Sequence, residues 1–331
     1  MGSSTDASPR QGAPRVAVIG AGGWGRNLVR NLDELGALHA VAEVAPEHRR
    51  RIAEAYPAAH SYTDHRAALD DPGTDAVAIA TPVATHYNLV REALEANKDV
   101  FVEKPLTPES GQAWELAELA EQRGRLLMVG HLLLFQPAIQ WLRDFLAAGR
   151  IGDVRGIHQE RLGLGRARDY ENALWCLGTH DVAVQRFLLP ERTPQSIRAL
   201  GQCVLQPGIE DDVYLHIDYD GGLQSHVHCS WLWPEKHRSL VILGSEGMVA
   251  YDEIRQTVTH HRKAIDAQLE NVDNGSEEVF QGHGQPLRLE MAHFLDCVAE
   301  RRPCTSDGRF AAGIVDLLAT ATRQLRQAEN A

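Results

Sequence analysis

"VAVIGAGGWGRNLVRNL", residues 16–32, joins a short apolar run to an amphipathic stretch through a turn rich in glycine. "RVAVIG", 15–20, reads as a strand, and a helix is expected from about 23 to 35. Gly20, Gly22 and Gly25 stand between them in GxGxxG spacing. Glycines there permit the tight turn and let backbone N–H groups approach a pyrophosphate, whose charge the helix N-terminus stabilises. Alone the pattern is weak, because such turns are common. Glu43 strengthens it, falling at the end of the next apolar run, 23 residues after Gly20, where an acid can accept from adenosine ribose hydroxyls. The same carboxylate repels a 2′-phosphate, and Val44 and Ala45 offer no arginine to hold one, so NAD is expected over NADP.

The alternation continues outward. "ALHAVAE", a helix opening at Pro46, "DAVAIA" at 75–80, a helix near 84–96, "DVFVE" at 99–103, a helix from Thr107 to about Arg123 and "RLLMVG" at 125–130 make a series of βαβ units. Thr107 is expected as that last helix's N-cap, with Pro108 at its first position and Gly124 closing it. In "VFVEKPLTPE", 100–109, the strand ends on Glu103, Lys104 and Pro105. Lysine is costly to bury and proline cannot extend a ladder, so packing does not account for them. A residue before proline is pushed toward extended backbone. Lys104 is thereby aimed from the strand's carboxyl end into the crevice where doubly wound sheets bind ligands.

Past residue 131 the pattern changes to one helix and then to strands of two-residue period. In "VYLHIDYDGGLQSHVHCSW", 213–231, Val213, Leu215, Ile217 and Tyr219 share one face of a hairpin, and Val227, Cys229 and Trp231 continue it. Two helices near 286–300 and 308–327 end the chain. The fold class is α/β: a leader at 1–13, a Rossmann dinucleotide domain at 14–131 and an α+β domain at 132–331 on a large open, mainly antiparallel sheet.

Composition narrows the function classes. The chain has 331 residues, 44 % hydrophobic and 24 % charged, with a net charge of −12 and no basic block of the kind nucleic-acid binding uses. No run approaches the roughly 18 apolar residues of a membrane helix. The five cysteines form no CxxC pair, which argues against a disulfide framework and a zinc cluster, and a cytoplasmic location is expected. His216, His226 and His228 invite a metal reading because a hairpin sets His216 opposite His226, but no carboxylate shares the spacing and no metal is expected.

"GAGGWG", "ATPVATHY" at 80–87, "VEKP" at 102–105 and "LGTHDV" at 177–182 occur in an order and spacing that resembles the Gfo/Idh/MocA oxidoreductases over about residues 14–328. Within that family, "RLGLGRARDYENALWCLGTHD", 161–181, is similar to the bacterial UDP-N-acetylglucosamine 3-dehydrogenases. The resemblance implies NAD on the Rossmann domain, hydride transfer from a UDP-linked sugar hydroxyl, and a homodimer or homotetramer built through the second domain's sheet. It places Gly20, Gly22, Gly23, Trp24, Gly25, Glu43, Thr81, Pro82, His86, Glu103 and Lys104 at the cofactor. Lys104 and His180 are the catalytic pair it implies, with the proline of the motif fixing the turn, often through a cis bond. Many members carry an aspartate four residues before the histidine; here that position is Cys176, so an Asp–His–Lys site is absent.

Oxidising a carbinol requires a base for the hydroxyl proton and stabilisation of the developing alkoxide. His180 is the candidate base and Lys104 the polarising ammonium, although a desolvated lysine can exchange roles with it. Arg161, Arg166 and Arg168 suit a diphosphate, and Asn172 is the expected sugar contact together with Lys104 and His180. The product, a 3-keto sugar, would feed a PLP-dependent aminotransferase in diamino-sugar synthesis for lipid A or another surface glycan. A UDP-N-acetylglucosaminuronate 3-dehydrogenase, an NAD-dependent glycosidase with no net redox change and a silent NAD-binding regulator are the competing readings.

Overall fold

A computed structural model describes residue 12 and residues 14–329; apart from Gly12, the expected leader lies outside the described residues. The chain divides into two compact units. One runs to Leu132 and takes back Gln285–Val315; the other is Leu133–Gly284 with the chain from Asp316 onward.

The first unit is built on six strands, β1 (Val16–Ile19), β2 (Leu38–Ala42), β3 (His60–Tyr62), β4 (Ala76–Ile79), β5 (Asp99–Glu103) and β6 (Leu127–Gly130), in the order β3-β2-β1-β4-β5-β6. Every pairing is parallel. All residues of β1 and β4 are buried, as parallel strands with both faces covered must be. Helices α1 (Gly25–Glu34), α2 (Pro46–Ala55), α3 (His65–Asp70), α4 (His86–Glu95) and α5 (Ser110–Arg123) make the crossovers. The order reverses between β1 and β4, the topological switch point beside which such sheets bind ligands. α5 starts later than expected, with Glu109 in the cap position. Thr107 Oγ1 instead donates to Glu109 O at 2.7 Å, closing a turn ahead of the helix. Gly124, at φ 59°, ends α5 as its sequence position suggests.

The second unit opens with α6 (Pro137–Ala147) and carries β7 (Val154–Leu164), β8 (Pro194–Gln202), β9 (Asp212–Tyr219), β10 (Gln224–Ser230), β11 (Leu232–Gly244), β12 (Met248–Asp252), β13 (Thr257–Ile265) and β14 (Asn271–Gln281). Their order is β14-β13-β12-β11-β7-β10-β9-β8, antiparallel except where β10 runs parallel to β7. One face buries Ile157, Val213, Leu215, Ile217, Val227 and Ile242. α7 (Thr179–Leu188) is preceded by a π-helical turn, Leu174–Gly178. Gly178 packs closely there: a Cβ would stand 2.8 Å from Leu174 Cδ1 and 3.3 Å from Cys229 Sγ, so those side chains would have to shift.

α8 (Pro286–Glu300) and the start of α9 (Gly308–Glu329) belong to the first unit, where the sequence suggested the second. The segment between them lies along β6: Val129 N–H donates to Ser306 O at 2.8 Å and Ser306 Oγ to Val129 O at 2.6 Å. Arg301 donates to Asp99, at the head of β5, at 2.6 Å. No helix among the described residues is long and apolar enough to cross a membrane.

Candidate functional site

The turn between β1 and α1 is a cradle with glycine-only walls. Gly20 has φ +88°, and a Cβ on it would meet Thr81 Cγ2 at 2.8 Å; a Cβ on Gly25 would lie 2.0 Å from Gly20 O. Positions Gly22 and Gly23 differ, because added Cβ atoms there would meet nothing within 4 Å. The inner glycines therefore close the turn while the outer two leave open space at the N-terminus of α1, which fits a dinucleotide's pyrophosphate. Glu43 is buried and bound to this turn: Oε2 accepts from Ala21 N–H at 2.7 Å and Oε1 from Ala45 N–H at 2.8 Å. Hydrogen bonds to a charged group stabilise by about 1.5–3 kcal/mol each. Its oxygens each retain a lone pair for a ribose hydroxyl.

After β4, Thr81 Oγ1 pairs with Thr85 Oγ1 at 2.7 Å, and Thr85 in turn donates to Pro82 O at 2.8 Å. The expectation that His86 contacts the cofactor is corrected by its surroundings. It is 1 % exposed, with Nδ1 2.9 Å from Pro105 O and Nε2 2.9 Å from Thr81 O. Burial pushes its ring below the ordinary histidine range, against those carbonyls. His86 thus ties the loop after β4 to the turn after β5 and presents neither nitrogen to a ligand.

That second turn follows Glu103, the last residue of β5, and the Lys104–Pro105 bond is cis. Trp24 Nε1 donates to Glu103 Oε1. Burial pushes the Glu103 carboxyl up to about 7, opposed by the Trp24 hydrogen bond and the charge of Lys104. Two further ionisable groups, absent from the sequence reading, complete the cluster. Glu290 of α8 is 1 % exposed, its Oε1 has no hydrogen-bond partner among the described residues, and burial followed by the charge of Glu103 drives it well above the carboxylate range. His131 is 2 % exposed and held down to about 3 by burial and then by Lys104. Glu290 had a signal in sequence: it lies on the same helical face as buried Phe294 and Cys297, where a carboxylate is out of place.

In the second unit, His180 is half-buried in the first turn of α7. Asp181 beside it is buried and receives Arg161 Nε at 2.9 Å, while the guanidinium's other nitrogens reach Glu253 at 3.1 and 2.7 Å. This corrects the expectation for Arg161, whose fork is filled by two carboxylates and faces no diphosphate. Asn172 is corrected likewise: Nδ2 donates to Glu210 at 2.7 Å, Oδ1 accepts from Trp175 N–H at 3.1 Å, and the residue is 6 % exposed. It is a clip that starts the π-helical turn. Arg166 is exposed and Arg168 half-buried; with Asp169, Leu205 and Gln206 they line an open cleft of about 380 Å³. Arg168 also hydrogen-bonds Cys176, the residue standing where an aspartate was anticipated. His216 lies opposite His226, their Nδ1 atoms 3.3 Å apart, and no group of three His, Cys, Asp or Glu among the described residues is arranged to hold a metal.

Comparison with known proteins identifies the family. The scyllo-inositol 2-dehydrogenase (NAD(+)) of Bacillus subtilis is 27 % identical over 312 residues, covering 88 % of this chain and 89 % of the relative. The UDP-N-acetylglucosamine 3-dehydrogenase of Acidithiobacillus ferrooxidans is 27 % identical over 299 residues, covering 89 % and 91 %. A solved structure of UDP-N-acetylglucosamine 3-dehydrogenase GnnA from Acidithiobacillus ferrooxidans superposes with a TM-score of 0.85 over 96 % of this chain and 99 % of that one, at 24 % identity, and so shares the fold. Residues 14–131 match the family profile described as "Oxidoreductase family, NAD-binding Rossmann fold", and residues 139–250 match the GFO/IDH/MocA C-terminal domain. Rossmann turn, motif-bearing strand ends and C-terminal sheet together place this chain in the Gfo/Idh/MocA family of NAD-binding oxidoreductases.

Proposed function

We propose that this oxidoreductase removes hydride from the 3-hydroxyl carbon of UDP-N-acetylglucosamine, leaving the 3-keto sugar, with NAD as acceptor. The observation that carries the reading is the cleft beside Arg166 and Arg168, in the segment that leads to His180. Guanidinium forks match diphosphate oxygens, and a free polyol such as an inositol has no group for them. Similarity to the Acidithiobacillus ferrooxidans enzyme supports the same substrate class.

NAD, when bound, supplies the nicotinamide that accepts hydride. The chain's own groups do the rest. His180 takes the hydroxyl proton, and Lys104 as an ammonium stabilises the oxygen as its charge develops. Glu43 accepts from the adenosine ribose and disfavours a 2′-phosphate by like charge. Secondary-alcohol oxidation by NAD is uphill at neutral pH, so an aminotransferase that consumes the ketone would sustain flux.

The test is a substrate panel of UDP-N-acetylglucosamine, UDP-N-acetylglucosaminuronate and scyllo-inositol, read by NADH absorbance with NAD and with NADP. UDP-N-acetylglucosamine with NAD should respond, and added aminotransferase and amino donor should put nitrogen at C3 by mass spectrometry and NMR. Lys104→Met and His180→Ala should bind NAD in calorimetry and lose on the order of 10²–10⁴ in turnover. Response to scyllo-inositol alone would replace the nucleotide-sugar reading with a polyol one.

A further inference from the structure

Helix α2 carries three consecutive arginines, Arg49, Arg50 and Arg51, and one of them behaves differently from its neighbours. Arg50 and Arg51 are exposed and pair along the helix with Glu54 and Glu47, the i,i+4 contacts of a solvated face. Arg49 is half-buried and folds back over the first turn: Nη1 donates to Glu43 O at 2.8 Å and to Val44 O at 3.3 Å, at the carboxyl end of β2. Its Nε and Nη2 make no hydrogen bond, and no carboxylate pairs with it, among the described residues. A guanidinium has five N–H donors, so most of this one's capacity is unused. Val44 and Ala45, directly after the acid, offer no arginine; the fold brings one back from the fourth residue of α2.

A cation is thereby fixed to the residue that reads the ribose. Glu43 N–H donates to Tyr62 O at 3.0 Å while its carbonyl accepts from Arg49, so the backbone of the acid is held at both ends. The carboxylate is held separately, by the N–H groups of Ala21 and Ala45. Val44 is 81 % exposed, which leaves this strand end open to a ligand. Two opposite charges thus stand at one place. A ribose 2′-hydroxyl suits the carboxylate, and a 2′-phosphate suits the guanidinium, whose fork matches phosphate oxygens. With both side chains present the carboxylate repels the phosphate by like charge. NAD is selected because Glu43 is there, and not for want of a cation.

We propose that Arg49 is a second specificity residue of the adenosine subsite, a guanidinium able to hold a ribose 2′-phosphate and kept from it by the Glu43 carboxylate. Discrimination between NAD and NADP is then set by the pair, and removing the acid alone turns the strand end into a phosphate site. In Glu43→Ser the shorter side chain removes the charge, makes room, and frees the N–H groups of Ala21 and Ala45 as further donors. A purely supporting role for Arg49 gives the opposite sign. If it only steadied Glu43, its loss would loosen the acid and raise NADP affinity relative to NAD. As a cation facing the phosphate, its loss lowers NADP relative to NAD.

Calorimetry of the protein with NAD and with NADP is the test, weak NADP binding being read by displacement of NADH fluorescence. No sugar is added, so the outcome is independent of which substrate the enzyme oxidises. Glu43→Ser should gain NADP affinity and lose NAD affinity. Adding Arg49→Met to it should cut NADP binding on the order of ten- to a hundredfold and leave NAD binding little changed. Arg50→Met makes the same change of net charge at an exposed site and should do neither. In the wild-type background Arg49→Met should lower NADP more than NAD, by a difference that shrinks with added salt. The proposal is overturned if Glu43→Ser gains no NADP affinity, if that gain survives the loss of Arg49, or if Arg49→Met leaves the NADP-to-NAD affinity ratio unchanged or raises it. Should Glu43→Ser fail to fold, Arg49→Met decides alone through the sign of that shift.

Discussion

Glu103 and Glu290 are two carboxyls in one buried region of the first unit, and both cannot be charged there cheaply. Lys104 and the Trp24 hydrogen bond favour ionised Glu103, so Glu290 is the one kept protonated. A pH dependence follows. Glu103 ordinarily titrates at 4.5 and in the folded protein at about 7, so between those values the folded state binds more protons than the unfolded. Stability from this group is present below the window and is lost as pH rises through it. Urea midpoints of wild type and Glu103→Gln measured across this range should diverge, wild type falling relative to the variant; parallel curves would refute the assignment. Residue type and order were enough to single out Glu103, Lys104 and the glycines. They were silent on His131, which only its burial distinguishes, and marked Glu290 only as a carboxylate out of place among Phe294 and Cys297, because where that helical face packs is decided by the fold.

At the scale of elements, a strand was legible where apolar and polar residues alternate strictly, as in β9, where Val213, Leu215, Ile217 and Tyr219 alternate with exposed or half-buried neighbours. The start of α5 was not, since Thr107 has the right chemistry for a cap and spends it on Glu109 O. Nor was the π-helical turn before α7, a rare element often found at functional sites, whose cause is tertiary: Asn172 clipped to Glu210 and Gly178 wedged against β10. Arg161 shows the same limit. An arginine before a glycine-containing loop reads as a ligand contact, but its strand position directs it beneath α7, where Asp181 and Glu253 enclose it. Its effect on His180 is positional, through the helix that carries both His180 and Asp181. Removing one partner of a buried ion pair costs about 3–5 kcal/mol because the remaining charge is uncompensated. Arg161→Met should lose that much in denaturant unfolding. Arg166→Met, at an exposed site, should stay within about 0.5 kcal/mol of wild type. Equal small effects would mean the triad does not anchor α7.

For the molecule as a whole, the sequence read a chain cut once, near residue 131, and did not show that the chain comes back to its first unit. Nothing in residues 285–315 marks them as covering β6; the match is made by Val129 N–H donating to Ser306 O, by the Ser306 hydroxyl donating to Val129 O, and by Arg301 meeting Asp99. The large sheet of the second unit has a different lesson. Register aligns His158, His226, His216 and Arg198 in one row across β7, β10, β9 and β8, and Glu160, His228, Tyr214 and Leu200 in the next. Tyr214 stacks on His228 at 3.9 Å, and His228 meets Trp233 edge-on at 5.4 Å. Leu200, Tyr214 and Trp233 are 67, 53 and 39 % exposed. Contiguous apolar and aromatic surface of this kind suits an interaction face, and the partner predicted for it is a second copy of the same sheet related by two-fold symmetry. Burying one such side chain contributes about 1.5–3 kcal/mol, and in a two-fold contact each is used twice. The wild-type protein is therefore expected to run as a dimer or tetramer in light scattering. Leu200→Glu combined with Tyr214→Glu should yield monomers that still bind NAD, since the cradle lies in the other unit. A wild-type monomer at micromolar concentration would leave this face without the partner assigned to it.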